Sequence, residues 1–372
     1  MRFPFRIRVP HYALTRAFLN PGRDDSFRGL FTADEYRDVH GYYAAHPELA
    51  PTPLRSLRSI ADTLGLATVY AKDETHRFGV NAFKIAGVQY AVHRLGDDAA
   101  ARGLVCATAG NHGRAVTHVG RHKHLPCTVF VPVLRTADPV EIRTRSARVA
   151  AMRQDGATVV DVDGTYEDAV AEAARYGERT GATVISDTSW EGYDEIPRWI
   201  MAGYTQLFQE ALSQWDAPPT IVVVQGGVGG LVCAAASWFA HEFAERPYFV
   251  VAEPENAACL LASAEAGRPI TIGGSLETIM AGLRCAAPSP AAWPAIASGV
   301  DAFVTVPDEA VLGTMKVLND APSPEQIHSG PSGACGLAAL VAVARDPNMA
   351  ELRAAARLDR STRALVVITE GA

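Results

Sequence analysis

Several common protein classes are excluded by what this chain lacks. It has no basic excess: 34 Lys and Arg stand against 41 Asp and Glu, a formal net charge of −7, so no nucleic-acid partner is expected. Charges of both signs are interspersed, with no long run of either, so no charged tail is visible. No apolar run reaches membrane-spanning length, and the N-terminal "MRFPFRIRVPHY" lacks the apolar core of a signal peptide. A soluble, cytoplasmic protein without a membrane partner is the expectation. The six cysteines, Cys106, Cys127, Cys233, Cys259, Cys285 and Cys335, form no CxxC pair, and most sit in apolar runs. That argues against a zinc site or a disulfide framework and for buried thiols in a reducing compartment.

What is present is a chain of 372 residues, 48% hydrophobic, long enough for a large core divided between two lobes. After an aromatic-rich opening segment with one helix, "ADEYRDVHGYYAAH", strands and helices alternate. "TPLRSLRSIADTLGL" has Leu54, Leu57, Ile60, Ala61 and Leu64 at helical spacing and predicts an amphipathic helix. "ATVYAKDE", "GLVCAT", "PCTVFVPV", "ATVVDVDG", "ATVISD", "TIVVVQ", "YFVVAEP" and "ALVVITEG" read as strands. Thr165 and Asp168 are spaced as a capping box ahead of "TYEDAVAEAARYGERTG". This alternation predicts an α/β protein of mostly parallel sheets with flanking helices, in which ligands collect at the carboxyl ends of the strands.

Three stretches carry chemistry. In "RFGVNAFKIAG", Lys84 follows Phe83 among Val80, Ala82, Ile85 and Ala86 at what reads as a helix start. An amine in such surroundings is expected to have a lowered pKa and to be a better nucleophile. The alternative is a lysine whose stem packs while its head reaches water. In "VVVQGGVGGL", Gly226, Gly227, Gly229 and Gly230 follow a buried strand and precede a helix, a geometry that aims backbone N–H groups at an anion. The loop lacks the lysine and serine of a P-loop, and no dinucleotide-binding acid follows it convincingly. In "ATAGNHGRAV", Thr108, Asn111 and the backbone suit a small anion such as a carboxylate, while His112 reads more simply as a histidine bonded within the turn. Asp187, directly after an apolar strand, is better placed for chemistry than Asp194 or Glu195, which suit the start of a helix. A phosphate cradle, a desolvated lysine and an asparagine-bearing anion loop together suit pyridoxal 5'-phosphate.

These segments, with "KDETHRFGVNAFK", "DTSWEGYDEIPRWIMAGY", "ETIMAGLRC" and "ITEG", resemble the diaminopropionate ammonia-lyase family, fold-type II pyridoxal-phosphate enzymes related to threonine dehydratase and cysteine synthase. The resemblance runs through nearly the whole chain. It implies a two-lobed, tryptophan synthase β-like fold, usually a homodimer. The large cofactor-binding lobe would be residues 1–89 and 204–372, and the small lobe residues 90–203. Lys84 would be the Schiff-base lysine and Phe83 its ring neighbour. Asn111 would bond the cofactor's phenolic oxygen, and Gly226, Gly227, Val228, Gly229 and Gly230 would cradle its phosphate. Thr369 would face the pyridine nitrogen. Thr108, Ala109, Gly110 and His112 would surround the substrate carboxylate, and Asp187 would reach the substrate's amino group.

The expected reaction is β-elimination from a small L-amino acid, with L-2,3-diaminopropionate giving pyruvate and ammonia. Lys84 would take the α-proton, and Asp187 would assist loss of the β-amine. A β-replacement synthase, or a lyase or dehydratase for another β-substituted amino acid, remains the alternative. Two departures bear on substrate choice. Ala109 stands where the family usually has an aspartate thought to act on the D-isomer, and Pro331 stands where it usually has an acid.

Overall fold

The computed structural model describes residues 12–14, 16–133 and 139–372, so most of the basic and aromatic N-terminal stretch lies outside the described residues. Its strands are β1 (Ala17–Leu19), β2 (Leu54–Ser56), β3 (Thr68–Asp73), β4 (Leu104–Cys106), β5 (Cys127–Pro132), β6 (Thr158–Val162), β7 (Thr183–Val184), β8 (Ile221–Gln225), β9 (Tyr248–Pro254), β10 (Ala302–Val306) and β11 (Arg363–Ile368). They form two sheets. The larger has the order β1-β10-β9-β8-β11-β3-β2, and the smaller β6-β5-β4-β7. All pairings are parallel except those of the two outer strands β1 and β2.

The β-branched run of β8 is buried on both faces, as parallel strands covered by helices are. Val222 and Val224 point into one core, packed with the helix Gly230–Glu242, and Ile221 and Val223 into another, packed with the helix Pro331–Arg345. Thr165 and Asp168 form the capping box at the head of the helix Tyr166–Thr180. Among the described residues no helix is long and apolar enough to cross a membrane. All six cysteines are free thiols, five buried and Cys285 half-buried.

The structure corrects one element. The helix expected from Leu54 onward begins only at Arg58 and ends at Leu64. Leu54–Ser56 pairs antiparallel with β3, Leu54 opposite Lys72. The apolar spacing was compatible with both states, and an open sheet edge with unmet backbone donors and acceptors decided between them.

Candidate active site

The carboxyl ends of β3, β8 and β11 and the far ends of β4 and β7 supply the residues singled out above. The turn leading to Lys84 is unusual: Phe78, Gly79 and Asn81 have left-handed backbone, with φ of 46°, 76° and 61°. The chain is then tied to the end of β11. Phe83 N–H donates to the Thr369 carbonyl at 3.0 Å, and Gly371 N–H to the Asn81 carbonyl at 2.9 Å. Lys84 opens the helix Lys84–Ala100. Gly87 and Gly203 let the helix Glu195–Tyr204 lie directly against it: a Cβ on Gly87 would fall 2.6 Å from the Ile200 carbonyl, and one on Gly203 2.9 Å from that of Ala86. Tyr204 thereby packs on Phe83, ring centroids 4.7 Å apart.

Lys84 Nζ contacts Asp187 Oδ2 and lies 5.5 Å from the centre of the Phe83 ring. Burial alone pushes this amine down, as the sequence suggests. The Asp187 carboxylate more than offsets it and holds Lys84 well above the ordinary lysine range. Burial works against ionisation of Asp187 as well, yet the Lys84 ammonium holds it well below the usual carboxylate range. The expectation of a partly neutral amine is therefore corrected: this state is an ion pair. The group responsible lies 103 residues along the chain, out of reach of any local reading.

The loop after β4 turns on Thr108, whose Oγ1 accepts from Gly110 N–H at 2.9 Å, and the helix Asn111–His122 follows. Ala109 is half-buried against the core. His112 Nε2 is 2.8 Å from the Ile185 carbonyl; its Nδ1 lies 3.9 Å from Asp187 Oδ2 and among the described residues has no hydrogen-bond partner. Asn111 Nδ2 donates to Glu370 Oε2. The Oε1 of Glu370 accepts from Ser332 N–H at 3.0 Å, and Arg148 Nη2 stands 3.5 Å from its Oε2. Glu370 thus brings negative charge to the start of the helix Pro331–Arg345, whose first residue is Pro331.

The residues present fit pyridoxal phosphate. In the loop after β8, the carbonyls turn into the protein: Gly227 O accepts from Cys259 Sγ at 3.5 Å, Val228 O from Ser289 N–H at 2.8 Å and Gly229 O from Cys233 N–H at 2.8 Å. Among the described residues the N–H groups of Gly227 and Gly229 meet no protein acceptor, and that of Val228 faces the Cys285 thiol. Donors left open in this way, ahead of a helix N-terminus, suit a phosphate. Gly229 has φ of +96°, and a Cβ there would fall 2.3 Å from Ile296 Cδ1, so the loop requires glycine. Thr369 Oγ1 accepts from Gln225 Nε2 at 2.8 Å, which leaves its own hydrogen for an acceptor such as an unprotonated ring nitrogen.

Glu370, Gln225 and Cys285 escaped sequence reasoning as site residues. Gln225 had a usable signal, a lone amide closing an apolar run ahead of the glycine loop. Glu370 likewise follows an apolar strand and precedes a glycine, as Asp187 follows one.

Comparison with known proteins agrees with this geometry. The family model for pyridoxal-phosphate dependent enzymes matches residues 46–370. The chain is 32% identical to the diaminopropionate ammonia-lyase of Salmonella typhimurium, over 92% of this chain and 90% of that protein. It is 30% identical to the Escherichia coli enzyme of the same name, over 92% and 89%. The crystal structure of the Escherichia coli enzyme, in complex with an aminoacrylate–pyridoxal phosphate reaction intermediate, superposes with a TM-score of 0.86 at 29% identity, covering 97% of this chain and 95% of that one. Maize serine racemase shares the fold, with a TM-score of 0.76 at 24% identity, covering 93% and 96%. The chain belongs to the pyridoxal-phosphate dependent enzymes, in the diaminopropionate ammonia-lyase family, and is a lyase of fold-type II architecture.

Proposed function

We propose that this enzyme cleaves L-2,3-diaminopropionate to pyruvate and ammonia, with Lys84 and Asp187 as its catalytic pair. The observation that carries the reading is the Lys84–Asp187 ion pair, set between an open phosphate loop and the Thr369 hydroxyl. Gly226 to Gly230 would hold the phosphate of pyridoxal phosphate, Thr369 its ring nitrogen and Lys84 its carbonyl carbon, with Phe83 as a neighbour of the ring. When bound, the cofactor supplies the electron-accepting ring that makes loss of an α-proton feasible. Asn111, swung from Glu370, would bond the phenolic oxygen.

The ion pair supports a division of labour. While Asp187 faces Lys84, the amine holds its proton. Once the carboxylate is taken by a substrate ammonium, burial acts on Lys84 without its main opposing charge, and burial favours the neutral amine. Lys84 Nζ then accepts the α-proton of an L-substrate, and Asp187 steadies the β-ammonium until it departs as ammonia. The Thr108 hydroxyl and the Ala109 N–H would take the substrate carboxylate at the start of the helix Asn111–His122, with the Gly110 N–H holding Thr108 Oγ1 in place. The methyl of Ala109 accepts no proton, which supports L-specificity.

The lobes would divide at about residues 90 and 203, and the working form would be a cytoplasmic homodimer, a reading the six free thiols and the family resemblance support. The test is pyruvate release by cofactor-loaded protein given L- and then D-2,3-diaminopropionate. Release from L alone is expected. Release from neither, or consumption of the L-isomer without pyruvate and only when a second nucleophile is added, would move the function to another β-substituted amino acid or to β-replacement.

A further inference from the structure

His112 was expected beside the substrate carboxylate, but its hydrogen bonding argues for another partner. The Ile185 carbonyl, 2.8 Å from Nε2, only accepts, so Nε2 carries the hydrogen. Burial disfavours a second proton and, with Lys84 nearby, outweighs the pull of Asp187, holding the ring below the ordinary histidine range and neutral. Nδ1 is therefore a bare lone pair on a side chain only 7% exposed, without a hydrogen-bond partner among the described residues, 3.9 Å from Asp187 Oδ2. A lone pair repels a carboxylate. Two acceptors facing one space call for a cationic donor, and the group beside them in this state is the ammonium of Lys84.

We infer that His112 Nδ1 and Asp187 together form the subsite for the substrate's β-ammonium, and that His112 makes the enzyme selective for an amine leaving group. This rests on the lyase reading above and deepens it. Once the Lys84 ammonium is displaced, a substrate ammonium seated between the two acceptors gives one hydrogen to Asp187 and one to Nδ1, a contact the Lys84 ammonium does not make. A leaving group with no N–H gains nothing from Nδ1 and leaves a buried acceptor unmet.

The experiment compares kcat/KM for L-2,3-diaminopropionate with that for β-chloro-L-alanine, whose leaving group carries no hydrogen, in the wild type, His112→Phe and His112→Asn. Phe keeps the ring shape without an acceptor; Asn keeps a polar atom near the Nδ1 position. His112→Phe is expected to lose about 10- to 100-fold on diaminopropionate, the worth of a hydrogen bond to a charged group, and less than about threefold on β-chloroalanine. His112→Asn is expected to stay within about tenfold of the wild type on both. Equal losses on the two substrates, no loss on either, or an Asn variant as impaired as Phe on diaminopropionate overturns the assignment while leaving the lyase reading intact. A wild type that processes β-chloroalanine but not diaminopropionate overturns both. As an independent readout, 15N NMR of histidine-labelled holoenzyme should show His112 as the neutral Nε2–H tautomer. A protonated Nδ1 there overturns the inference whatever the kinetics.

Discussion

Two lysines are drawn into this molecule, one fully buried and one half-buried, and they teach opposite lessons. Lys72, at the end of β3, is fully buried; its Nζ donates to the Thr52 carbonyl at 2.6 Å and to Glu210 Oε2 at 2.7 Å. Arg77 completes that cluster with bonds to Glu74, Glu210 and Thr52 Oγ1. Two cations face two carboxylates, and every charged group is met. Lys84 is less buried, at 19% side-chain exposure, and shares a single carboxylate with a histidine nitrogen that has no partner. Burial pulls Lys72 down against the pull of Glu210 and Glu74, whereas Asp187 leaves Lys84 raised. The more desolvated lysine is thus the structural one. The lysine proposed as catalytic is marked by incomplete satisfaction beside open anion donors, because a fully met cluster has nothing left to offer a ligand.

The comparison breaks most sharply if Lys84 is dispensable. Lys84→Ala is expected to cut pyruvate release from L-2,3-diaminopropionate by roughly 10⁴-fold or more. Its far-UV circular dichroism should be unchanged; full turnover would sink the proposed function. In the sealed cluster the loss should fall on stability instead. Arg77→Met leaves Glu74 and Glu210 with Lys72 alone and is expected to cost about 3–5 kcal/mol in urea unfolding. Turnover per folded molecule should stay near the wild-type value, and a lost activity with intact stability would reverse the two roles.

A third change sharpens the contrast from the open side. Ala109→Asp places a carboxylate near the poised pair and should raise pyruvate release from D-2,3-diaminopropionate at least about tenfold, the low end of what a positioned base contributes. No gain would remove the reason given for L-specificity.

The smallest effect concerns a buried carboxyl with no cation in contact. Among the described residues Glu253 accepts only the N–H groups of Leu260 and Leu261, both at 2.8 Å, and burial pushes it up to about 8. Its folded pKa lies above its unfolded value, so between the two the folded state binds more protons. This contribution to stability is present below about pH 4.5 and is lost as pH rises toward 8. Urea midpoints at pH 5 and pH 8 should lie closer together in Glu253→Gln than in the wild type. An unchanged spacing would show that Glu253 is ionised in the fold.

Much of this was legible along the chain. The β-branched run of β8, the glycines after it, and the Thr165–Asp168 cap are local patterns, and local physics decides them. The segment from Leu54 was misread because its apolar spacing also suits an edge strand beside β3. Glu370 gave only a weak local sign. Its meaning comes from contacts with Asn111, 259 positions away, and with Ser332 and Arg148.

By itself the sequence determined the class of fold, the strand–helix alternation, the glycine loop and the family, since each depends on patterns that neighbours in the chain enforce. It also placed Lys84 at an apolar helix start. Tertiary structure alone decided the charge of that lysine, the tautomer of His112 and the sealing of Lys72. Each of these depends on electrostatic partners within a few ångströms in space but far away in sequence, and in a low-dielectric interior such partners outweigh local burial.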